Sequence, residues 1–140
     1  VLGPQMLKLT AELADGTNTW MVGPKTMEEH IMPCFEASGN YSPEIVAGMP
    51  IVLTNNIDHA KESIGKSLAV YGQLPSYRAM LDREGAVGPA DIAIIGDENK
   101  LGGEIKRLES LGVTDFNAAI MDVEDGAYHR TLEFLGSLRP

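Results

Sequence analysis

The residues most suggestive of chemistry form a turn near the start of the chain, where Leu2, Gly3, Pro4 and Gln5 follow one another. Val1 and Leu2 are typical of the end of a strand, and a helical pattern begins at Gln5. Glycine lets a ligand approach the backbone, and the unpaired amides at the start of a helix attract anions. On these residues alone an ordinary strand-to-helix turn is the simpler interpretation, and a site for an anionic ligand is the alternative.

A second candidate is Trp20, the one tryptophan of the chain, which stands with Met21 and Val22 at the end of the next apolar stretch. A lone tryptophan is more often part of a core than of a ligand site. At the carboxyl end of a strand, however, its ring can form a wall for a cofactor or substrate. Lys25 follows and could meet an anionic substrate, although a solvated side chain is the simpler interpretation.

The remaining polar residues give weaker signals. The histidines fall on predicted helices without metal-binding spacing, and we interpret them as surface or packing residues: His30, His59 and His129. After the last predicted strand come acidic residues that could act as acids or bases but are more typical of a solvated loop: Asp122, Glu124 and Asp125. The residues themselves assign no catalytic group and no metal ligand.

Composition narrows the classes of partner. The chain has 140 residues, enough for one domain spanning residues 1–140, and a net charge of −9 without a basic cluster. Nucleic acid and anionic membrane surfaces are therefore poor partners. The apolar run Ile45–Leu53 is too short to cross a bilayer. The single cysteine, Cys34, cannot form an internal disulfide and fits a reducing cytoplasm.

Strand-like and helix-like stretches alternate along the chain. The predicted strands are Thr17–Val22, Glu44–Thr54 and Asp115–Met121, and the predicted helices include Gln5–Leu13, Leu74–Arg83, Glu98–Leu111 and Tyr128–Leu138. Another helix is predicted to begin at Thr26, which has capping-box spacing to Glu29, with a kink at Pro33. The stretch Gly85–Gly96 fits either a loop with a short helix or a short strand.

The stretch Glu44–Thr54 is apolar nearly throughout, which is typical of a parallel strand covered on both faces. Repeated strand–helix units demand a parallel sheet with right-handed crossovers. Two architectures fit this pattern, an open doubly wound sheet and part of a (β/α)8 barrel.

Four stretches in this order resemble the bacterial luciferase-like monooxygenase family, especially its coenzyme F420-dependent branch: VLGPQMLKLTAELADGTNTWMVGP, EEHIMP, YGQLPSYRAMLDREG and GDENKLGGEIKRLESLGVTDF. The resemblance implies an α/β fold that is the C-terminal half of a TIM (β/α)8 barrel, beginning at the exit of the fifth strand. It also implies an oxidoreductase that moves a hydride between F420 or FMN and a small organic substrate. Leu2, Gly3, Pro4 and Gln5 would hold the cofactor phosphate, with Trp20 nearby.

A complete barrel takes roughly 250 residues, so the resemblance implies that strands one to four would precede Val1. We expect the chain by itself to be inactive and to associate, either with a missing N-terminal half-barrel or with itself as a homo-oligomer. The alternative is a non-catalytic α/β binding or assembly module. The sequence upstream of Val1 would discriminate between these hypotheses.

Overall fold

The computed structural model describes residues 2–138, so Val1 lies outside the described residues. Within this range four strands alternate with helices. The strands are β1 (Gly16–Trp20), β2 (Glu44–Leu53), β3 (Ile94–Gly96) and β4 (Asp115–Ile120). The α-helices are α1 (Pro4–Leu13), α2 (Pro24–Thr26), α3 (Met32–Ala37), α4 (Ile57–Ser67), α5 (Pro75–Glu84), α6 (Glu98–Ser110) and α7 (Ala127–Ser137). A π-helical turn, Met27–Ile31, joins α2 to α3, and 3-10 turns span Ala69–Gly72 and Pro89–Asp91.

The strand β2 is the centre of a fully parallel sheet. Its first half pairs with β1, from Gly16 opposite Glu44 to Trp20 opposite Gly48, and its end pairs with β3. The strand β4 pairs with β2 over Val46–Ile51. Pro50 has no amide to donate, and it lies between the residues that pair with β1 and those that pair with β3. The predicted parallel sheet is therefore confirmed.

The two faces of the sheet are covered by helices to different extents. Alternate residues of β2, namely Ile45, Ala47, Met49 and Ile51, are buried in the main core together with side chains from α1, α3 and α6. On the opposite face, Asn18 of β1 and Asn117 of β4 are exposed. Side chains alternate along a strand, and this second face is only partly covered: Val52 of β2 is buried against Ala60 and Ile64 of α4, whereas the face is open at the two asparagines. In a closed barrel, that open face would line the interior.

One local expectation needs correction, and another is resolved. The predicted capping box at Thr26 and Glu29 is wrong, because α2 already begins at Pro24 and the Thr26 amide donates to the Glu84 carboxylate. A π-helical turn comes directly before Pro33, whose missing amide removes a helical donor. The ambiguous stretch contains both a 3-10 turn and the short strand β3. No helix within residues 2–138 is long and apolar enough to cross a bilayer.

Candidate functional site

A cavity of about 300 Å³ lies at the carboxyl end of β1. Its lining joins the start of α1, two residues of β1 and the start of α5: Leu2, Gly3, Met6, Asn18, Trp20, Ser76 and Tyr77. Three of the five predicted cofactor residues, Leu2, Gly3 and Trp20, therefore meet at one place. Pro4 and Gln5 occupy the exposed first turn of α1, beside the cavity but outside its lining.

The start of α1 presents unpaired backbone donors. Gly3 is the N-cap residue, and its carbonyl oxygen accepts the first helical hydrogen bond from the Leu7 amide at 2.8 Å. Pro4 has no amide, and those of Gln5 and Met6 precede the first residue with a helical acceptor. Gly3 has no side chain that could cap this end, and the first turn contains no acidic residue. An anion here would meet backbone N–H groups and the positive end of the helix dipole.

Gly3 lies in open space. A Cβ atom built on it would meet no atom of residues 2–138 within 4 Å. Its backbone angles, φ −68° and ψ 143°, are ordinary for any residue. The folded chain therefore does not itself require glycine here. A ligand that approaches the backbone closely would require it, so the two interpretations of this turn can be separated by substitution.

Trp20 forms one side of the cavity within an aromatic cluster. Its ring meets Tyr71 edge to face at 6.0 Å, and Tyr71 meets Tyr77 in the same way at 4.9 Å between centroids. The indole lies against Gly48, where an added Cβ would come within 3.1 Å of Cε3. The indole Nε1 is buried and has no hydrogen-bond partner among residues 2–138. An unpaired buried donor costs about 1–3 kcal/mol, so this atom is a candidate donor to a ligand.

The backbone beside Trp20 is strained. Met21 has φ 55°, the left-handed region that residues other than glycine seldom adopt. Its amide donates to the Gly48 carbonyl at 2.9 Å, and its side chain is buried with Leu81 and Ile92. Such strain costs about 1–3 kcal/mol and persists only where the surroundings enforce it. It turns the chain from β1 towards α2 and fixes the end of the strand that carries Trp20.

Sequence reasoning missed part of this lining. Asn18 carried a usable signal, because it lies two residues before Trp20 on one strand and therefore on the same face. Ser76 and Tyr77 carried none. They come from α5, which follows β2 in the chain but reaches the end of β1 only through tertiary folding.

The other sequence candidates lie elsewhere. Lys25 is exposed, as are Asp122 and Asp125. Glu124 is half-buried and accepts hydrogen bonds from Thr54 Oγ1 at 2.7 Å and Arg130 Nη2 at 2.8 Å. It therefore ties the end of β2 to the loop before α7, and is not freely solvated.

Two of the three histidine rings contact backbone oxygens. His30 Nε2 lies 3.4 Å from the Leu2 carbonyl oxygen, and His59 Nε2 lies 3.0 Å from that of Val123. Both contacts agree with the packing role inferred from the sequence. Residues 2–138 contain no cluster of side chains that could hold a metal ion.

Comparison with known proteins identifies the architecture. The sequence matches no protein-family model and none of the curated proteins. The fold, in contrast, matches solved structures over nearly the whole chain. An F420-dependent secondary alcohol dehydrogenase in complex with an F420–acetone adduct is 19% identical over 99% of this chain, with a TM-score of 0.68. A coenzyme F420-dependent tetrahydromethanopterin reductase from Methanopyrus kandleri is 19% identical over 97%, with a TM-score of 0.70. A long-chain alkane monooxygenase is 14% identical over 99%, with a TM-score of 0.59.

These structures belong to the luciferase-like monooxygenases. The chain shares the fold of these structures. Its parallel sheet and flanking helices correspond to half of a TIM (β/α)8 barrel, so the fold class expected from the sequence is confirmed. The chain spans about half the length of the solved structures it matches, 47% of both F420-dependent enzymes and 39% of the alkane monooxygenase.

Proposed function

We propose that this luciferase-like chain forms the C-terminal half of an oxidoreductase that transfers a hydride between F420 or FMN and a small organic substrate. The observation that carries the proposal is the meeting of the Gly3 turn and Trp20 at one cavity. That cavity lies at the carboxyl end of β1, where (β/α)8 enzymes place their active sites. The bound deazaflavin or flavin would supply the redox chemistry, while the chain would position it.

The residues present fit a phosphate-bearing group. The amides of Gln5 and Met6 and the positive end of the α1 dipole would bind the phosphate, with Gly3 leaving space for its approach. Backbone donors suit a chain with a net charge of −9. The cavity volume of about 300 Å³ is at the lower limit of ligand pockets. It therefore suits the phosphate end, and the rest of the cofactor would need walls from another part of a complete barrel.

Exposed apolar side chains on the outer helices favour a partner that closes the barrel. Three large apolar side chains of α1 are exposed, Met6 to 54%, Leu9 to 45% and Leu13 to 77%. Tyr128 and Leu132 of α7, and Leu138 directly after it, are exposed to similar extents. Within residues 2–138, β4 pairs only with β2, so its other edge is free. A parallel strand left at an edge and two apolar helix faces are surfaces that association would cover.

We propose that an N-terminal half-barrel covers these surfaces in the complete enzyme, and that a second copy covers them when the chain is isolated. Burial contributes about 25 cal/mol per Å² of apolar surface, so both arrangements lower the free energy. A single domain in the cytoplasm remains our expectation, supported by the lone Cys34. The same open edge also favours the second candidate function, a non-catalytic module that assembles with another α/β unit.

The test compares each cofactor with its phosphate-free form in the complete protein. FMN and riboflavin, and F420 and its phosphate-free deazaflavin, would be titrated while ring fluorescence is monitored. We expect tighter binding of the phosphate form in at least one pair, because the start of α1 recognises only that group. Equal affinities within both pairs would remove the phosphate assignment. Absence of binding by all four, with assembly preserved, would favour the non-catalytic module.

A further inference from the structure

The helix α5 covers the candidate site. Its first turn contributes Ser76 and Tyr77 to the cavity, and Tyr71, just before it, packs edge to face on Trp20. The helix belongs to a segment between β2 and β3 that folds across the end of β1. The contacts that hold α5 in place therefore determine the shape of the cavity.

The other end of α5 is fixed by Glu84. Its Oε1 atom accepts a hydrogen bond from the Thr26 amide at 2.5 Å, in the first turn of α2. A Cβ atom on Gly23 would lie 2.5 Å from the Glu84 carboxyl carbon, so the absence of a side chain there lets the carboxylate reach the backbone. The Thr26 hydroxyl adds a long contact of 3.5 Å to the Met80 carbonyl of α5.

Two helices of the chain begin with the same Gly-Pro pair but differ in what lies at their N-terminal amides. Gly3-Pro4 begins α1 and Gly23-Pro24 begins α2, which continues through the π-helical turn into α3. Gly3 offers no side-chain cap at the first start, and the first turn of α1 contains no acidic residue. The second holds the Glu84 carboxylate, where an anion gains from the unpaired amides and the helix dipole. The Glu84 carboxylate therefore occupies the start of α2, whereas the first turn of α1 has no carboxylate of its own.

We propose that Glu84 is a positioning residue that latches α5 onto the start of α2 and thereby holds Ser76 and Tyr77 over the cavity. The latch consists of a charge-assisted hydrogen bond, which is stronger than a neutral one. Its consequence for ligand binding rests on the proposed function. The latch itself can be tested without a ligand, so its failure and the failure of the proposed function are distinguishable.

The single tryptophan gives a direct signal for the latch. Because Trp20 packs against Tyr71 beside α5, release of α5 exposes the indole to solvent. We would measure the emission wavelength and the acrylamide quenching constant of Trp20 in the full chain. Glu84→Ala should shift the emission to the red and increase quenching. Loss of one hydrogen bond to a charged group would lower the ratio of latched to released molecules roughly tenfold or more.

Two further variants separate the latch from general damage. Glu84→Gln keeps an oxygen acceptor for the Thr26 amide and should restore most of the protection from acrylamide. Gly23→Ala keeps both hydrogen-bonding groups, and its backbone angles, φ −79° and ψ 171°, suit alanine. Its methyl group nevertheless forces the Glu84 carboxylate away. It should therefore increase quenching in the wild-type chain and have no further effect in the Glu84→Ala chain.

Asp82→Asn is the matched control, because Asp82 lies on the same helix and its carboxylate accepts a hydrogen bond from Arg78 Nε at 2.8 Å, within α5. It should leave Trp20 quenching unchanged, and circular dichroism would verify the fold of every variant. Wild-type quenching in folded Glu84→Ala, or an undiminished Gly23→Ala effect in the Glu84→Ala background, would overturn the proposal. If Glu84→Ala does not fold, hydrogen exchange of the Thr26 amide decides: it should accelerate in Gly23→Ala, and an unchanged rate refutes the latch.

Discussion

Replacement of Gly3 by valine separates a ligand-binding turn from a plain one. The added side chain has open space, since a Cβ at Gly3 meets no described atom within 4 Å. The backbone angles, φ −68° and ψ 143°, are also acceptable for valine. The substitution should therefore change the free energy of unfolding by no more than about 0.5 kcal/mol, the range of neutral surface changes. A large loss of cofactor affinity in this variant would then reflect a lost contact with the ligand and not a change in the fold.

The magnitude follows from the donors at the start of α1. The Gln5 and Met6 amides are available to a phosphate, and each hydrogen bond to a charged group contributes about 1.5–3 kcal/mol. An isopropyl group at residue 3 would push the phosphate away and lengthen or break at least one bond. We expect a loss of about 2–4 kcal/mol, equivalent to roughly 30- to 700-fold weaker binding at 1.4 kcal/mol per tenfold change.

The assay is a fluorescence titration of the complete protein with FMN and F420, with riboflavin and phosphate-free deazaflavin as comparators. Gly3→Val should weaken the phosphate-bearing forms strongly and the phosphate-free forms little. Gly88→Val is a matched control, because Gly88 also has open space around a Cβ and extended backbone angles but lies outside the cavity lining. Unchanged affinity in folded Gly3→Val would leave this loop as a plain turn.

Three other changes test separate parts of the structure. Trp20→Ala should alter ring or substrate binding more than binding of the phosphate, and a fall confined to phosphate affinity would contradict this. Thr131→Val should lower the free energy of unfolding by about 1–3 kcal/mol in urea denaturation, because the buried hydroxyl accepts from the Leu53 amide at 2.9 Å; an unchanged midpoint would refute it. The isolated chain should self-associate in light scattering and Leu132→Glu should reduce this, whereas a compact wild-type monomer at micromolar concentration would exclude the proposed covering of α7.

The sequence by itself determined the order and type of the main elements. The apolar stretch of β2 predicted a parallel strand covered on both faces, and the structure buries every residue from Ala47 to Val52. Gly39, Gly85 and Gly112 adopt positive φ angles at the ends of helices, where glycine has no Cβ penalty. These signals are local, since each depends on residues within a few positions of one another.

Only the tertiary structure decided what those elements meet. By helical periodicity, Met6, Leu9 and Leu13 share one face of α1. That face is exposed within the described chain, and the buried residues of the helix are Leu7 and Ala11. Periodicity shows which side chains share a face, and packing decides whether anything covers it.

The start of α2 shows that local sequence does not identify the partner of a polar group either. Local spacing predicted a cap formed by Thr26 and Glu29. The group at the start of the helix is instead the carboxylate of Glu84, which accepts a hydrogen bond from the Thr26 amide although the two residues are 58 positions apart. Ser76 and Tyr77 likewise join Trp20 only because α5 folds across the end of β1. A helix start requires an acceptor for its amides, but its chemistry does not specify which distant side chain will supply one.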